Sequence, residues 1–251
     1  MKVLAIDTST EACSAALLLP GGAVVSRFVL TERGHAELIL PMIDAVLVEG
    51  GVALHELDGL AFGRGPGGFT GLRVAAGVIQ GLAFGAGLEV APVSSLAAVA
   101  AQVLTSPAIA GEVERGAGEG ITSPISGEGV LVCNDARMNE LYWAAYGFDA
   151  ATSTPIALTD ERVGPPASVV APAGVTRCAG NGLSRHPELR ARLEHAGLLF
   201  HDGVYPRAEE IARLGAVMLA SGQGVAAAAA LPIYVRDDVA RPSGGAVTTV
   251  S

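Results

Sequence analysis

The order of short apolar runs along the chain constrains the fold more than any other feature. Three strand-like runs come first, at Val3 to Ile6, Ala12 to Leu19 and Ala23 to Leu30, and the turn Pro20-Gly21-Gly22 joins the last two. From His35 onward, helical periodicity alternates with single strands. A short turn predicts antiparallel strands, whereas strands separated by a helix need a crossover and are expected to be parallel. The beginning of the chain therefore predicts one mixed sheet.

This element order is the ribonuclease-H-like pattern, which builds each half of actin-like ATPases. We expect a first domain at 1–105, completed by a helix at 208–221. The segment 106–129 is rich in Gly, Ser, Pro and Glu, which is typical of a flexible loop or linker. A smaller second domain at 130–204 and a C-terminal tail at 222–251 complete the prediction. The predicted class is α/β: two ribonuclease-H-like domains, with mixed sheets, helices on both faces and a degenerate second domain.

Composition excludes several classes of protein. The most apolar stretch, Thr70 to Gly85, carries Arg73 and Gln80, so we expect no membrane span. The apolar run before Asp7 is too short for a signal peptide, which predicts a cytoplasmic protein. The formal net charge is -9 and the arginines are dispersed, with Lys2 as the only lysine. Direct binding to a phosphate backbone needs clustered cations, so we expect none by this chain alone.

Candidate metal and redox residues form no recognisable pattern. The three cysteines, Cys13, Cys133 and Cys178, are widely spaced, and we interpret them as small buried hydrophobic residues. The five histidines show no spacing typical of metal ligands. No nucleophile elbow with a serine, histidine and aspartate set is present either. The sequence therefore predicts no catalytic residues, no metal and no cofactor.

A glycine-rich loop, Gly63 to Gly71, follows a predicted strand and precedes a helix. Such a loop can bring backbone amides to an anion, and it contains a literal G-x-G-x-x-G at Gly63, Gly65 and Gly68. A dinucleotide site also needs an acidic residue at the end of the next strand, and Glu89 lies at its beginning. We therefore favour a structural role, with a phosphate site as the alternative. The residues that would be remnants of a nucleotide-binding loop are Asp7, Thr8, Ser9, Gly65, Pro66, Gly67 and Gly68.

Two helical segments, His35 to Glu49 and Thr70 to Gly85, are apolar on more than one side. In the first, Ile39, Leu40, Ile43 and Leu47 form one apolar side, and Leu38, Met42 and Ala45 form another. We expect Leu38 and Met42 to project away from the core side. A surface helix needs only one apolar stripe. In the second, glycines recur at every fourth position, and each costs up to about 1 kcal/mol relative to alanine, which indicates close helix approach. Burial inside a two-domain protein is the alternative, but we favour a partner interface. Its candidate residues are Leu38, Met42, Ala45, Leu72, Gly77, Gly81 and Gly85.

Several motifs resemble the TsaB (YeaZ-type) family. They are Ala5-Ile6-Asp7-Thr8-Ser9, His35-Ala36-Glu37, Leu40 to Asp44, Phe62 to Arg73, Gln80 to Ala83, Asp135-Ala136-Arg137-Met138 and Leu231 to Arg236. The glycine loop with its Phe-Thr-Gly-x-Arg ending is the most specific. The resemblance covers nearly the whole chain except the segment from Ser106 to Gly129, which looks like an insertion. Gly68 stands where the family often has serine.

The resemblance implies a non-catalytic subunit that forms a heterodimer with TsaD, which transfers threonylcarbamoyl to N6 of the adenosine beside the anticodon of tRNA. It also implies a TsaE-like ATPase in a larger complex and contact with tRNA only through the complex, and it leaves open whether the isolated subunit is a homodimer or a monomer. The metal-ligand positions of TsaD-like proteins fall on Ser95 and Val99, which implies a lost metal site. A nucleotide hydrolase or metallopeptidase of the same superfamily remains one alternative, and a nicotinamide-dependent oxidoreductase, suggested only by the G-x-G-x-x-G, is another.

Overall fold

The computed structural model describes residues 1–105 and 129–235. Within these ranges eleven strands and five α-helices form two sheets with helical layers. The strands are β1 (Val3–Asp7), β2 (Ala12–Leu18), β3 (Val24–Leu30), β4 (Gly59–Gly65), β5 (Val90–Ser94), β6 (Gly129–Asp135), β7 (Leu141–Asp149), β8 (Thr154–Ala157), β9 (Arg162–Gly164), β10 (Val175–Gly180) and β11 (Leu199–Asp202). The helices are α1 (His35–Gly50), α2 (Phe69–Ala86), α3 (Ser95–Leu104), α4 (Pro187–His195) and α5 (Ala208–Ala220).

The first sheet has the strand order β3-β2-β1-β4-β5. β2 is antiparallel to both β1 and β3, whereas β4 is parallel to β1 and β5 is parallel to β4. The predicted mixed sheet is therefore confirmed. Helices α1 and α2 provide the crossovers, and each ends at a glycine in the left-handed conformation, Gly51 at φ 62° and Gly87 at φ 67°.

The second sheet repeats this topology with the order β11-β10-β6-β7-β8, and β9 pairs with β7 as well. β6 and β7 are antiparallel, as are β7 and β8, while β10 is parallel to β6 and β11 to β10. The fold prediction of two ribonuclease-H-like units with mixed sheets is thus confirmed. One boundary is corrected: Gly129 begins β6 because it pairs with Val175, so it is not part of a loop. The rest of the predicted loop, 106–128, lies outside the described residues.

Helices cover both faces of the first sheet because its strands are apolar on both faces. Leu4 and Ile6 of β1 pack with α1 and α2, and the alternate residues Val3 and Ala5 pack with α3 and α5. This double burial is typical of strands in parallel sheets with helices on both sides. Since α5 packs on the first sheet through Ile211 and its neighbours, its position supports the predicted assignment of 208–221 to the first domain, and the domain boundaries themselves remain a prediction.

Helix α3 connects the two sheets. Its residues Ala98 and Ala101 pack in the core of the first sheet, whereas Leu96 and Val99 pack with Val132 and its neighbours in the second. Helix α4 covers the opposite face of the second sheet. The two sheets therefore share one helical layer, which brings the carboxyl ends of β1, β4 and β6 close to one another.

Candidate functional site

The glycine-rich loop after β4 packs against the end of β1 through its backbone. The Gly68 amide donates to the Ser9 carbonyl at 2.7 Å, and the Thr8 hydroxyl donates to the Gly71 carbonyl at 2.7 Å. A Cβ on Gly67 would overlap the Ser9 carbonyl oxygen, and one on Gly71 would overlap that of Thr8. Glycine is required at these two positions because two backbone segments meet there.

Asp7 lies behind this loop and is completely buried. Its Oδ1 accepts from the Ser9 amide at 3.0 Å and from the Ser9 hydroxyl at 2.9 Å, and the Ser95 hydroxyl lies 3.5 Å from its Oδ2. Burial raises the pKa of Asp7 to about 6, although the two Ser9 hydrogen bonds act in the opposite direction.

These contacts bear on the nucleotide that the fold family implies. The Gly68 amide is already bonded to Ser9, and the Asp7 carboxylate has no exposed surface with which to contact a metal-bound phosphate. The residues present therefore do not fit such a nucleotide. That Asp7, Thr8, Ser9, Gly65, Pro66, Gly67 and Gly68 are remnants of a nucleotide-binding loop remains a prediction.

A cleft of about 610 Å³ lies between the ends of the two sheets. Its walls include Thr8 to Glu11 after β1, Gly67 to Gly71 at the start of α2, and Asp135 to Arg137 after β6. Two arginines converge on Asp135 at its rim: Arg185 lies 2.8 Å and Arg137 3.5 Å from the carboxylate. The cleft is therefore formed by equivalent strand ends of both halves, and on the second half one carboxylate faces two arginines.

Residues 231–235, which we call the C-terminal segment, form another wall of the cleft through Ile233, Tyr234 and Val235. The Ile233 amide donates to the Arg64 carbonyl at 2.8 Å. Tyr234 accepts a hydrogen bond from Arg73 Nε at 3.2 Å, and its ring centroid lies 5.2 Å from that of Phe69. No periodic pattern in the tail predicts this contact. Only the apolar and aromatic content of Leu231 to Tyr234 indicates that the segment has a packing partner.

The outer side of α1 differs from the predicted one. Leu38 and Met42 are half buried and pack against the core of the first sheet, so the expectation that they project away from it is wrong. Ala45 is also half buried. Val48, near the end of the helix, is 81% exposed. The helical wheel was misleading because the core extends around more of α1 than one stripe.

Helix α2 presents a row of small residues and one aromatic residue to the outside. Gly77, Gly81 and Gly85 are exposed, and a Cβ on any of them would meet nothing within 4 Å. Phe84 is 86% exposed, although no part of the sequence pattern distinguishes it from the buried residues. Leu72 is completely buried, so its predicted place on a partner interface is wrong. We call Val48, Gly77, Gly81, Phe84 and Gly85 the outer helix face.

Ser95 and Val99, where the resemblance to TsaD-like proteins implies a lost metal site, lie in the interior. Ser95 begins α3 and is completely buried, and Val99 packs in the shared core below it. Within 1–105 and 129–235, no group of three or more histidines, cysteines, aspartates or glutamates is placed to hold a metal ion. The residues present do not fit such a metal, because valine has no donor atom and the serine oxygen is a poor ligand.

By length and composition, α2 could cross a membrane, and it is the one such helix among the described residues. Five of its residues, Leu72, Ala75, Ala76, Ile79 and Ala83, are nevertheless buried against the first sheet. A core helix of a globular protein has the same composition, so this property is weak support for a membrane span.

The fold and the cleft define the class of protein first. Two mixed sheets of the same topology, with a glycine loop beside the end of β1, describe a member of the ribonuclease-H-like, actin-like group. The sequence model of one family in this group, described as "TsaD: tRNA N6-adenosine threonylcarbamoyltransferase", matches residues 29–240.

Individual relatives narrow this class. The chain is 36% identical, over 96% of its own length and 96% of the relative, to the tRNA threonylcarbamoyladenosine biosynthesis protein TsaB of Escherichia coli K12. A solved structure described as YeaZ from Pseudomonas aeruginosa shares 35% identity, with a TM-score of 0.75 over 93% of this chain and 99% of that one. Another, described as an uncharacterized protein with similarity to peptidase YEAZ from the same organism, shares 36% identity, with a TM-score of 0.76 over 94% and 99%. The chain belongs to the TsaB (YeaZ-type) family.

Proposed function

We propose that this protein is the non-catalytic subunit required for threonylcarbamoyl transfer to N6 of the adenosine beside the anticodon of tRNA, and that it acts by binding a TsaD-like transferase. Support comes from its TsaB relative, which is named for threonylcarbamoyladenosine biosynthesis. The observation that carries the proposal is the outer helix face, where Phe84 is almost fully exposed on the same helix as a row of exposed glycines, and Val48 is exposed near the end of α1.

The outer helix face has the composition of a helix-packing surface. Phe84 is 86% exposed, so a partner that covers its side chain gains the free energy of burying it. The glycines next to it leave open space, so a helix of a partner can approach the backbone of α2 closely. Helix α1 packs beside α2 and contributes Val48. The apolar outer side of α2, together with Val48 on the neighbouring helix α1, suits a bundle with two helices of a TsaD-like subunit.

The interior supports an accessory role. The aspartate that ends β1 is buried and has hydrogen-bond donors on both sides, and the ligand positions Ser95 and Val99 are core residues. Such a cleft favours the subunit over the alternative nucleotide hydrolase or metallopeptidase, because each of those needs an accessible acid or metal. The alternative of a nicotinamide-dependent oxidoreductase is likewise disfavoured, since the glycines of the loop pack against Thr8 and Ser9.

The remaining partners belong to the same proposal. A TsaE-like ATPase completes the larger complex, and the isolated subunit uses the outer helix face to form a homodimer. The net charge of -9 favours contact with tRNA only through the complex. A tRNA-modifying complex acts in the cytoplasm, which is where we place the protein.

Replacement of Phe84 by aspartate tests the proposal. A charge buried at the interface without a counter-charge costs several kcal/mol, so Phe84→Asp should weaken binding to the TsaD-like partner by about 100-fold or more. The affinity is measured by isothermal titration calorimetry with the purified partner. The threonylcarbamoyladenosine content of tRNA is measured by mass spectrometry in a strain that depends on the variant. The affinity for the partner and the threonylcarbamoyladenosine content of tRNA should fall together.

Val170→Asp is the matched control, because Val170 is 70% exposed and lies beside the second sheet, away from the outer helix face. It should bind the partner and support the modification normally. Both variants should keep the circular dichroism spectrum of the wild type, since neither side chain is in the core. Normal partner binding by a folded Phe84→Asp would show that the interface lies elsewhere.

A further inference from the structure

Glu161 lies where the two halves of the molecule meet and receives hydrogen bonds from both. It follows β8 in the second half, and its side chain is 16% exposed. Arg64, at the end of β4 in the first half, donates to Glu161 through Nη1 at 3.1 Å and Nη2 at 3.4 Å. The Ser94 hydroxyl also donates to Oε1, and the Tyr146 hydroxyl lies 3.4 Å from the same atom. One carboxylate therefore joins β4, β5 and β7.

The partners of Glu161 are themselves fixed. Ser94 caps helix α3, because its hydroxyl accepts from the Ala97 amide at 3.1 Å. Tyr146 is buried, and burial together with the Glu161 charge raises its pKa, so it remains a neutral hydrogen-bond donor. The carbonyl of Arg64 accepts from the Ile233 amide at 2.8 Å. The positions of the start of α3 and of the C-terminal segment therefore depend on the position of Glu161.

A second hydrogen bond also joins strand β7 to the first half of the molecule. Tyr142 lies four residues before Tyr146 on β7, so both side chains are on one face of the sheet. The Tyr142 hydroxyl donates to the Gly67 carbonyl at 3.3 Å. Gly67 and Tyr142 both line the cleft, so the separation between the glycine loop and β7 sets its width.

We propose that Glu161 is a positioning residue that holds the second sheet against the glycine loop through Arg64 and Ser94, and so sets the width of the cleft and the placement of the C-terminal segment. In the absence of its charge, Arg64 loses its carboxylate partner in a mostly buried position. The second sheet then pivots about α3, which packs on both sheets. This role belongs to the isolated chain and does not depend on the proposed partner.

Glu161→Gln tests the role with little change in volume. Spin labels are attached to cysteines introduced at Glu37 on α1 and Glu188 on α4, both exposed, since the native cysteines are all buried. Double electron–electron resonance should show a narrow inter-label distance distribution in the otherwise wild-type protein and a broader, shifted one in Glu161→Gln. Amide exchange at Gly68 and Ile233 should accelerate at least roughly tenfold, because removing one partner of a mostly buried ion pair is strongly destabilising.

Two further variants separate positioning from general stability. Arg64→Met should reproduce the effect of Glu161→Gln, and the double variant should show no further change, because the two side chains act as one unit. Glu209→Gln is the matched control: it removes an ion pair with Arg213 of the same length, 3.1 Å, within the exposed surface of α5. It should leave the distance distribution unchanged. An unchanged distribution in folded Glu161→Gln, or additive effects in the double variant, would overturn the proposal.

Discussion

The two halves of the molecule share one topology but differ in how their crossovers are built. In the first half, β3 connects to β4 through the 16-residue helix α1, and β4 connects to β5 through the 18-residue helix α2. In the second, the short strand β9 stands between β8 and β10, and the 9-residue helix α4 connects β10 to β11. The second half has the same strand order as the first although its crossovers are short, because the strand order depends on the packing of the sheet core. A long apolar outer surface requires long helices, and only the first half has them.

The equivalent aspartates at the two strand ends differ in a similar way. Asp7 at the end of β1 is fully buried and has only hydroxyl and amide partners. Asp135 at the end of β6 borders the cleft and pairs with the exposed residues Arg137 and Arg185. The first half encloses its aspartate without a charged partner, whereas in the second half the aspartate, with its side chain 6% exposed, is paired with two arginines at the cleft. The same topological position therefore has a different electrostatic cost in each half.

The most destabilising substitution tests whether the two halves of the molecule unfold together. Phe62→Ala removes a completely buried side chain from the first core and should lower the free energy of unfolding by about 3–5 kcal/mol. Trp143, the only tryptophan, reports on the second core. Since α3 packs on both sheets, the urea midpoints from Trp143 fluorescence and from circular dichroism should fall together. A Trp143 midpoint that stays at its wild-type value would show that the halves are independent.

The next effect concerns the buried aspartate. The pKa of Asp7 rises from an ordinary value of 3.8 to about 6 on folding, which corresponds to roughly 3 kcal/mol. Its protonation therefore stabilises the fold fully below about pH 3.8, and this contribution is lost as the pH rises through 6. Asp7→Asn should be more stable than the wild type at pH 8 by up to about 3 kcal/mol, and the difference should shrink towards pH 4. Urea unfolding across this pH range measures it.

Asp135→Asn is the matched variant in the second half. It removes the carboxylate between Arg137 and Arg185, so we expect a small loss of stability at neutral pH, opposite in sign to the effect at Asp7. If both asparagine variants shift stability in the same direction at pH 8, the contrast between the two strand ends is wrong.

A further contrast distinguishes two glycines within α2. Gly71→Ala should lower the free energy of unfolding by about 1–3 kcal/mol, because the added methyl overlaps the Thr8 carbonyl. Gly77→Ala should raise it by up to about 1 kcal/mol, since its Cβ enters open space and alanine favours the helix. Thermal unfolding of both variants measures the difference. Equal losses at the two positions would mean that Gly77 is packed in the isolated chain.

Much of the fold could be predicted because it depends on local patterns. The turn at Pro20 to Gly22 indicates an antiparallel hairpin, and the periodicity of α1 and α2 locates both helices to within one residue at each end. The site was less predictable. The apolar pattern of the two helices predicts Leu38 and Met42 on the side away from the core and Leu72 at the partner interface, and it does not identify the exposed Phe84. A helical wheel shows which sides are apolar, but it does not show which of them the sheet covers.

Local sequence patterns specify the antiparallel hairpin, the parallel strands that follow helices and the glycine loop after β4, because turn chemistry and hydrophobic periodicity act over a few residues. The motifs of the sequence also determined the family. Three features follow from tertiary packing alone: Asp7 is enclosed, the C-terminal segment lies on the glycine loop, and Glu161 reaches Arg64 from 97 residues away. These contacts join elements far apart in the chain, so their geometry depends on how the two sheets pack around α3 and is not contained in any local pattern.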